Sequence, residues 1–359
     1  MTTVDLLDVA ATARWVAGRG AERIITELID ALAADFRRWP ELDKRPRVAS
    51  HSAEGVIELM PTSDGVTYGF KYVNGHPVNP ARGFQTVTAF GVLADVHNGY
   101  PTFLAEMTLL TALRTAATSA LAARLLARPD SRTLALIGTG TQAEFQALGM
   151  RAALGITHLR AWDVDPAARE KLVRNARALG FDVHEATSAA DAVRGADVVT
   201  TCTADKRDAT VLTADMLADA APGVHVNAIG GDCPGKTELE ASILTAPGRP
   251  GAPAPAVVVE YTPQTRIEGE IQQLDPDFPV TELWEILVGD AVGRTAPDQV
   301  TVFDSVGFAV EDWTALRYVH EAVRRDAPAL LQQVDLIAEP ADPKDLWSLV
   351  AAEALAAQR

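Results

Sequence analysis

The sequence predicts an α/β protein: a Rossmann-type domain with a parallel sheet, joined to an α+β domain. Three observations carry that prediction. An apolar run, Leu134-Ala-Leu-Ile137, leads straight into a glycine turn, Gly138-Thr-Gly140-Thr-Gln-Ala143. From Thr133 to Phe303 short apolar runs then alternate with helix-compatible segments, the pattern of a parallel sheet with right-handed crossovers. Before that stretch, strand-like runs end in Asn98-Gly99, a hairpin signal that implies largely antiparallel pairing.

The elements follow in order. Residues 8–37 show helical spacing of Ala, Val, Ile and Leu, broken near Gly18 and Gly20. Strands are expected at 56–60, 66–73 and 86–96, and a long helix from Met107 to Ala127. That helix is interrupted by Arg114 and Arg124 and is rich in Ala and Thr, so it reads as a packed helix rather than a membrane span. The parallel strands are expected at 133–137, 158–163, 182–184, 197–201, 224–229, 256–260 and 299–303, with a helix at 311–326 returning to the first region. The segment Ala246-Pro-Gly-Arg-Pro-Gly-Ala-Pro-Ala-Pro255 cannot hold a regular element and reads as an exposed loop.

Bulk properties restrict the partners. The 359 residues suffice for two domains, and 48% are hydrophobic. A formal net charge of −16 with no basic block disfavours nucleic acid and anionic membranes. Asp5 and Asp8 fall where a signal peptide would need a basic region and an apolar core. Cys202 and Cys233 lack metal or disulfide spacing, so no metal is expected and a reduced, cytoplasmic protein is the default.

The glycine turn points to a dinucleotide. Gly138 permits the tight turn, Gly140 lets the backbone approach a pyrophosphate, and Ala143 takes the small third position where helix and strand pack closely. Asp163 lies 25 residues beyond Gly138 at the end of the next strand. A carboxylate there accepts the ribose hydroxyls of NAD and repels the extra phosphate of NADP. Ligands of open parallel sheets bind outside the carboxyl ends of the strands, which directs attention to Gly138–Gln142, Asp163, Thr201–Asp205, the Ile229-Gly230-Gly231-Asp232 corner and Asp304-Ser305-Val306. Two glycines before Asp232 would let backbone approach the nicotinamide, with the carboxylate directed at whatever binds beside the ring. Asp-Cys-Pro-Gly also has turn composition, so Asp232 reads equally as a cap on backbone amides.

A second constellation lies in the first region. Arg47, Glu58, Lys71 and Arg114 each interrupt an apolar or small-residue setting, and such charges must be paired, solvated or used. A half-exposed strand face explains any one of them. Together, facing Asp232 across a cleft, they would suit an amino acid with a second amine: cations for its carboxylate, the two acids for its amines. Lys71 could instead form a Schiff base, but a bound nicotinamide makes carboxylate binding the simpler assignment. His76, in Asn-Gly-His-Pro, reads as an acid/base group or as a residue ordering a turn.

Several blocks resemble the ornithine cyclodeaminase family, which includes mu-crystallin. They are Lys71-Tyr-Val-Asn-Gly-His-Pro77, Ala112-Leu-Arg114-Thr-Ala-Ala-Thr-Ser119, Gly230-Gly-Asp-Cys-Pro-Gly-Lys236-Thr-Glu-Leu239, Thr262-Pro-Gln-Thr-Arg-Ile-Glu-Gly-Glu270 and Val302-Phe-Asp-Ser305-Val-Gly307. The resemblance runs from about Asp8 to Trp347. It implies a substrate-binding and dimerisation domain over residues 1–115, completed by 311–359, and an NAD-binding domain over 116–310. It further implies that Arg47, Lys71 and Arg114 hold the substrate carboxylate, that Glu58 recognises an amine, and that Asp232 is the general acid/base, with Val306 near the substrate. For NAD it implies contacts from Thr86, Arg114, Thr141, Gln142, Asp163, Thr203, Lys236 and Ser305. The implied reaction converts L-ornithine to L-proline and ammonia in a homodimer. A lysine cyclodeaminase, a ketimine reductase, an amino-acid dehydrogenase or a ligand-binding protein without turnover would use the same parts. The Pro/Gly-rich segment 246–255 is longer than the resemblance leads one to expect.

Overall fold

The computed structural model describes residues 2–204, 210–247 and 252–356, and among these the strands form two sheets. The first lobe contains β1 (Val4–Leu7), α1 (Val9–Arg19), α2 (Ala21–Arg37), β2 (Val48–His51), β3 (Val56–Ser63), β4 (Thr67–Gly75), β5 (Ala89–Asp95) and β6 (Pro101–Glu106). Asp8 caps α1 by accepting the Ala11 amide at 2.8 Å. Gly20 separates α1 from α2, and α2 buries Ile24, Ile25, Leu28, Ile29, Leu32 and Phe36 along one face.

Strands β2 to β6 form an antiparallel meander, and β1 adds to β6 in parallel. The expected hairpin at Asn98-Gly99 joins β5 to β6. Burial alternates along β3, so Val56, Glu58 and Met60 point inward while Ile57 and Leu59 point out. Met60 pairs with Lys71 in β4, which places Glu58 and Lys71 on the same inward face. The opposite face is apolar and exposed at Ile57, Leu59, Tyr68 and Phe90, with Tyr72 stacked on Phe90 at 5.0 Å.

Helix α3 (Thr108–Leu126) connects the lobes and packs against α2 and β5 on one side and β11 and β14 on the other. It is long and apolar enough to cross a membrane, yet most of it is buried within the protein. Its alanines allow close approach: a Cβ on Gly149 would lie 2.8 Å from the Ala116 carbonyl. The boundary expected at 115/116 falls inside this helix.

The second lobe runs β7 (Thr133–Ile137), α4 (Ala143–Leu154), β8 (His158–Trp162), α5 (Pro166–Ala178), β9 (Asp182–Glu185), α6 (Ala189–Val193), β10 (Val198–Thr201), α7 (Ala214–Ala218), β11 (His225–Ala228), α8 (Ser242–Thr245), β12 (Ala256–Val259), α9 (Thr262–Glu268), β13 (Thr281–Glu282), α10 (Leu283–Val288) and β14 (Thr301–Asp304). The sheet order is β13-β12-β14-β11-β10-β7-β8-β9 and every pairing is parallel. Strand order reverses between β7 and β10, so the ligand crevice lies beyond Ile137 and Thr201. The chain then returns through α11 (Ala309–Asp326), which packs on β3, β4 and β5, and β15 (Gln332–Val334), which pairs with β1. Helix α12 (Trp347–Ala356) ends the described chain. Residues 205–209 and 248–251 lie outside the described residues, so Asp205 and the middle of the Pro/Gly-rich segment have no structural account.

Candidate active site

The dinucleotide turn has the geometry its glycines require. Gly138 has φ +99°, and a Cβ on it would sit 2.7 Å from the Cys202 carbonyl at the end of β10. A Cβ on Gly140 would meet nothing within 4 Å, which leaves the backbone open toward the crevice. Asp163 follows β8, and its carboxylate accepts the Thr139 amide at 2.6 Å and the Asp165 amide at 3.0 Å. Thr141 is exposed, and the buried Gln142 Oε1 at the start of α4 has no hydrogen-bond partner among the described residues. An open glycine backbone, a carboxylate fixed beside it and an orphaned acceptor at a helix N-terminus fit the diphosphate and ribose of a dinucleotide.

The Ile229–Asp232 corner follows β11, with the Ile229 amide on the Thr201 carbonyl. Its glycines also answer to a constraint beyond the one expected. A Cβ on Gly230 would come within 2.1 Å of Glu238 Oε1, and one on Gly231 within 2.7 Å of Glu270 Oε1. Buried carboxylates occupy that space and fasten the loops. Glu238 accepts the amides of Thr203 and Gly230, Glu270 accepts those of Glu238 and Leu239, and Asp304 accepts those of Glu270 and Ile271. Burial pushes Glu270 up to about 8 and Asp304 up to about 7.

Asp232 projects from this corner with a side chain 55% exposed, and it pairs with Lys236, 3.6 Å away. Lys236 also donates to the Thr203 carbonyl at 2.7 Å, tying two of the expected cofactor residues together. Ser305 lies at the end of β14 and spends its hydroxyl on the buried Glu260, which also accepts the amides of Val306 and Gly307. Thr86 stands apart on the connection before β5, its carbonyl accepting the His76 amide. His76 bonds Asn74 at 3.0 Å within the same turn, as a turn-ordering residue does.

The cations of the first lobe are buried and paired. Lys71 Nζ lies 2.7 Å from Asp312, and Arg114 contacts Glu311 at 2.6 Å and Asp312 at 2.8 Å. Arg47 donates to Glu58 at 3.0 Å and to the carbonyls of Val306 and Gly307 at 2.6 and 2.7 Å, bridging the lobes. Burial lowers Lys71 to about 8; Asp312 opposes that shift, and the charges of Arg114 and Arg47 add to it. The three cations therefore share one electrostatic environment. Arg47, Glu58, Lys71, Arg114 and Val306 are brought together, with Asp232 close enough for its charge to act on Arg47.

The acids that hold these groups were missed from sequence. Glu260 ends an apolar strand, Val257-Val-Val-Glu260, and Glu311-Asp312 follow Ala309-Val310. The criterion that singled out Glu58 and Lys71, a charge among apolar neighbours, applies equally to them.

The residues matched by the model for the ornithine cyclodeaminase/mu-crystallin family are 13–327. The chain belongs to that family. An ornithine cyclodeaminase of Agrobacterium fabrum is 55% identical over 92% of this chain and 90% of its own length. A solved lysine cyclodeaminase, described as recognising L-lysine, L-ornithine and L-2,4-diaminobutyric acid, aligns with a TM-score of 0.87 at 34% identity, covering 96% of this chain and 98% of that one. An archaeal alanine dehydrogenase dimer with bound NAD aligns with a TM-score of 0.81 at 28% identity, over 94% of this chain and all of that one. The family's two-lobed arrangement thus accounts for both sheets of this chain.

Proposed function

We propose that this enzyme is an NAD-dependent ornithine cyclodeaminase, converting L-ornithine to L-proline and ammonia. The observation that carries the reading is the cluster of Arg47, Lys71 and Arg114 in one buried environment, with the acids Glu58 and Asp232 beside it. Cations suit a substrate carboxylate, and acids on the other side suit two amines. A monoamine substrate leaves one of those acids without purpose.

The chain's own groups divide the work. Arg47, Lys71 and Arg114 anchor the carboxylate, and Val306 packs beside the substrate. Glu58 holds an ammonium. Asp232, half exposed on its glycine corner, takes a proton from the α-ammonium and later gives one to departing ammonia. When bound, NAD supplies the redox chemistry that side chains lack, removing the Cα hydride and returning it, so the conversion has no net redox change. Gly138, Gly140, Thr141, Gln142, Asp163, Thr203, Lys236 and Ser305 would hold it. Closing a five-membered ring is intramolecular, and orientation contributes up to about 7–11 kcal/mol in favourable cases.

A homodimer completes the reading. Ile57, Leu59, Tyr68 and Phe90 make one exposed apolar sheet face, and such a patch is what a second copy covers. Cys202 and Cys233 are not joined in a disulfide, which fits a reducing cytoplasm.

Incubation with ornithine and catalytic NAD tests the function. Proline and ammonia should appear without lasting absorbance at the NADH wavelength. Stoichiometric NADH with a 2-oxo acid would overturn the reading in favour of a dehydrogenase. Lysine is the companion substrate, since one methylene discriminates by only about 1–3 kcal/mol.

A further inference from the structure

Ring closure has a proton requirement that Asp232 alone does not meet. The distal amine of ornithine carries a proton at neutral pH, as a lysine does, and must lose it before its lone pair can attack the oxidised α-carbon. Asp232 serves the α-nitrogen, so a second acceptor is needed.

Glu268 closes α9, and its side chain is 8% exposed. Its Oε2 lies 3.1 Å from Arg47 Nε but off the line of a hydrogen bond, and it has no hydrogen-bond partner among the described residues. The Arg47 guanidinium donates to Glu58 and to the carbonyls of Val306 and Gly307, and its amide donates to Gln264. The charges of Glu58 and Asp232 both act on Glu268. With Asp232 paired to Lys236, and Lys71 and Arg114 to Asp312 and Glu311, the Glu58 and Glu268 carboxylates on the Arg47 guanidinium leave an excess of one negative charge. An α,ω-diamino acid, with two ammonium groups and one carboxylate, brings the net charge of +1 that balances it.

Resting on the ornithine reading above, we propose that Glu268 binds the distal ammonium of the substrate and is the base that takes its proton. Glu58 has committed an oxygen to Arg47, whereas Glu268 presents an oxygen with no such bond. Burial pushes Glu268 up to about 7, near the working pH, where a general base is most effective.

The balance closes. Glu268 removes one proton from the δ-nitrogen, and Asp232 removes one from the α-nitrogen before the Cα–H bond breaks. The δ-nitrogen forms a bond to Cα, the Cα bond to the α-nitrogen breaks and ammonia leaves, and the hydride removed from Cα returns there to give proline. Of the two held protons, one converts ammonia to ammonium and the other protonates the ring nitrogen of proline.

The test compares the NAD-loaded wild type with Glu268→Gln and Glu268→Asp by two readouts, bound NADH formed in a single turnover and proline released. Glu268→Gln should still reduce NAD on mixing with ornithine, while proline formation falls by about 100-fold or more. Glu268→Asp, which keeps a carboxylate, should restore part of the proline yield. Unchanged proline formation in Glu268→Gln overturns the assignment, and so does an equal loss of both readouts, which would mark a structural role through Arg47. Should Glu268→Gln fail to fold, Glu268→Asp decides alone: NADH formation faster than proline release supports the assignment, and an unaltered ratio overturns it. A wild type that makes no proline removes the ornithine reading itself, and this assignment with it.

Discussion

Replacing Asp232 by asparagine abolishes proline formation and leaves NAD binding intact. The carboxylate is half exposed and pairs with Lys236 at 3.6 Å, so neutralising it costs little stability, within about 0.5 kcal/mol. Lys236 keeps its bond to the Thr203 carbonyl, which preserves the cofactor side of the corner. Asparagine is nearly isosteric but cannot hold the proton of the α-ammonium. A lost general acid/base lowers turnover by about 10²–10⁴-fold. Fluorescence titration with NAD should give the wild-type affinity, and chromatography should find no proline above that floor. An active variant would transfer the acid/base role elsewhere.

Asp312→Asn has the larger effect on the fold. Asp312 is 1% exposed and serves two cations at once, Lys71 at 2.7 Å and Arg114 at 2.8 Å. Removing one partner of a buried ion pair leaves an uncompensated charge and costs about 3–5 kcal/mol. Denaturant unfolding should register that loss as an earlier midpoint with an unchanged slope. The pH dependence has a definite sign. Burial already lowers Lys71 to about 8, and Asp312 is the first cause opposing that shift, so the variant's Lys71 loses its proton more readily still. The Lys71 share of the destabilisation is therefore greatest well below pH 8 and disappears above it, where Lys71 is neutral in both proteins. The Arg114 share persists, because the guanidinium stays charged. With Lys71 neutral, the KM for ornithine should also rise. A midpoint equal to the wild type's would show that Asp312 is not the group that compensates the buried charges of Lys71 and Arg114.

Local constraints were legible in the sequence. Gly138 needs a positive φ, a property of one residue and its neighbours, and strands β7 and β12 are nearly continuous apolar runs because both faces are covered. The long helix α3 and the Asn98-Gly99 hairpin are signals of the same kind. Elements defined by distant partners were not legible. Strand β2 is exposed at every position and shows no alternation, while β1 acquires a neighbour from the far end of the chain, β15. The same divide runs through the site. Isolated charges such as Glu58 and Lys71 announce themselves against apolar neighbours. Their partners come from far away in the chain, as Asp312 does for Lys71 and Glu268 for Arg47, and nothing near Lys71 indicates which acid it meets. The Gly230-Gly231 pair meets a constraint that was not legible locally: its smallness makes room for Glu238 and Glu270 beneath the loop.

The central claim is that one carbon of a diamino acid gives up its hydrogen and gets it back on ring closure, within a single cleft. Ornithine deuterated at Cα, turned over with unlabelled catalytic NAD, tests this most directly. Mass spectrometry of the product should find the deuterium retained at Cα of proline. Proline formed with its Cα deuterium lost to solvent, or NADH accumulating in step with substrate consumed, would contradict the account.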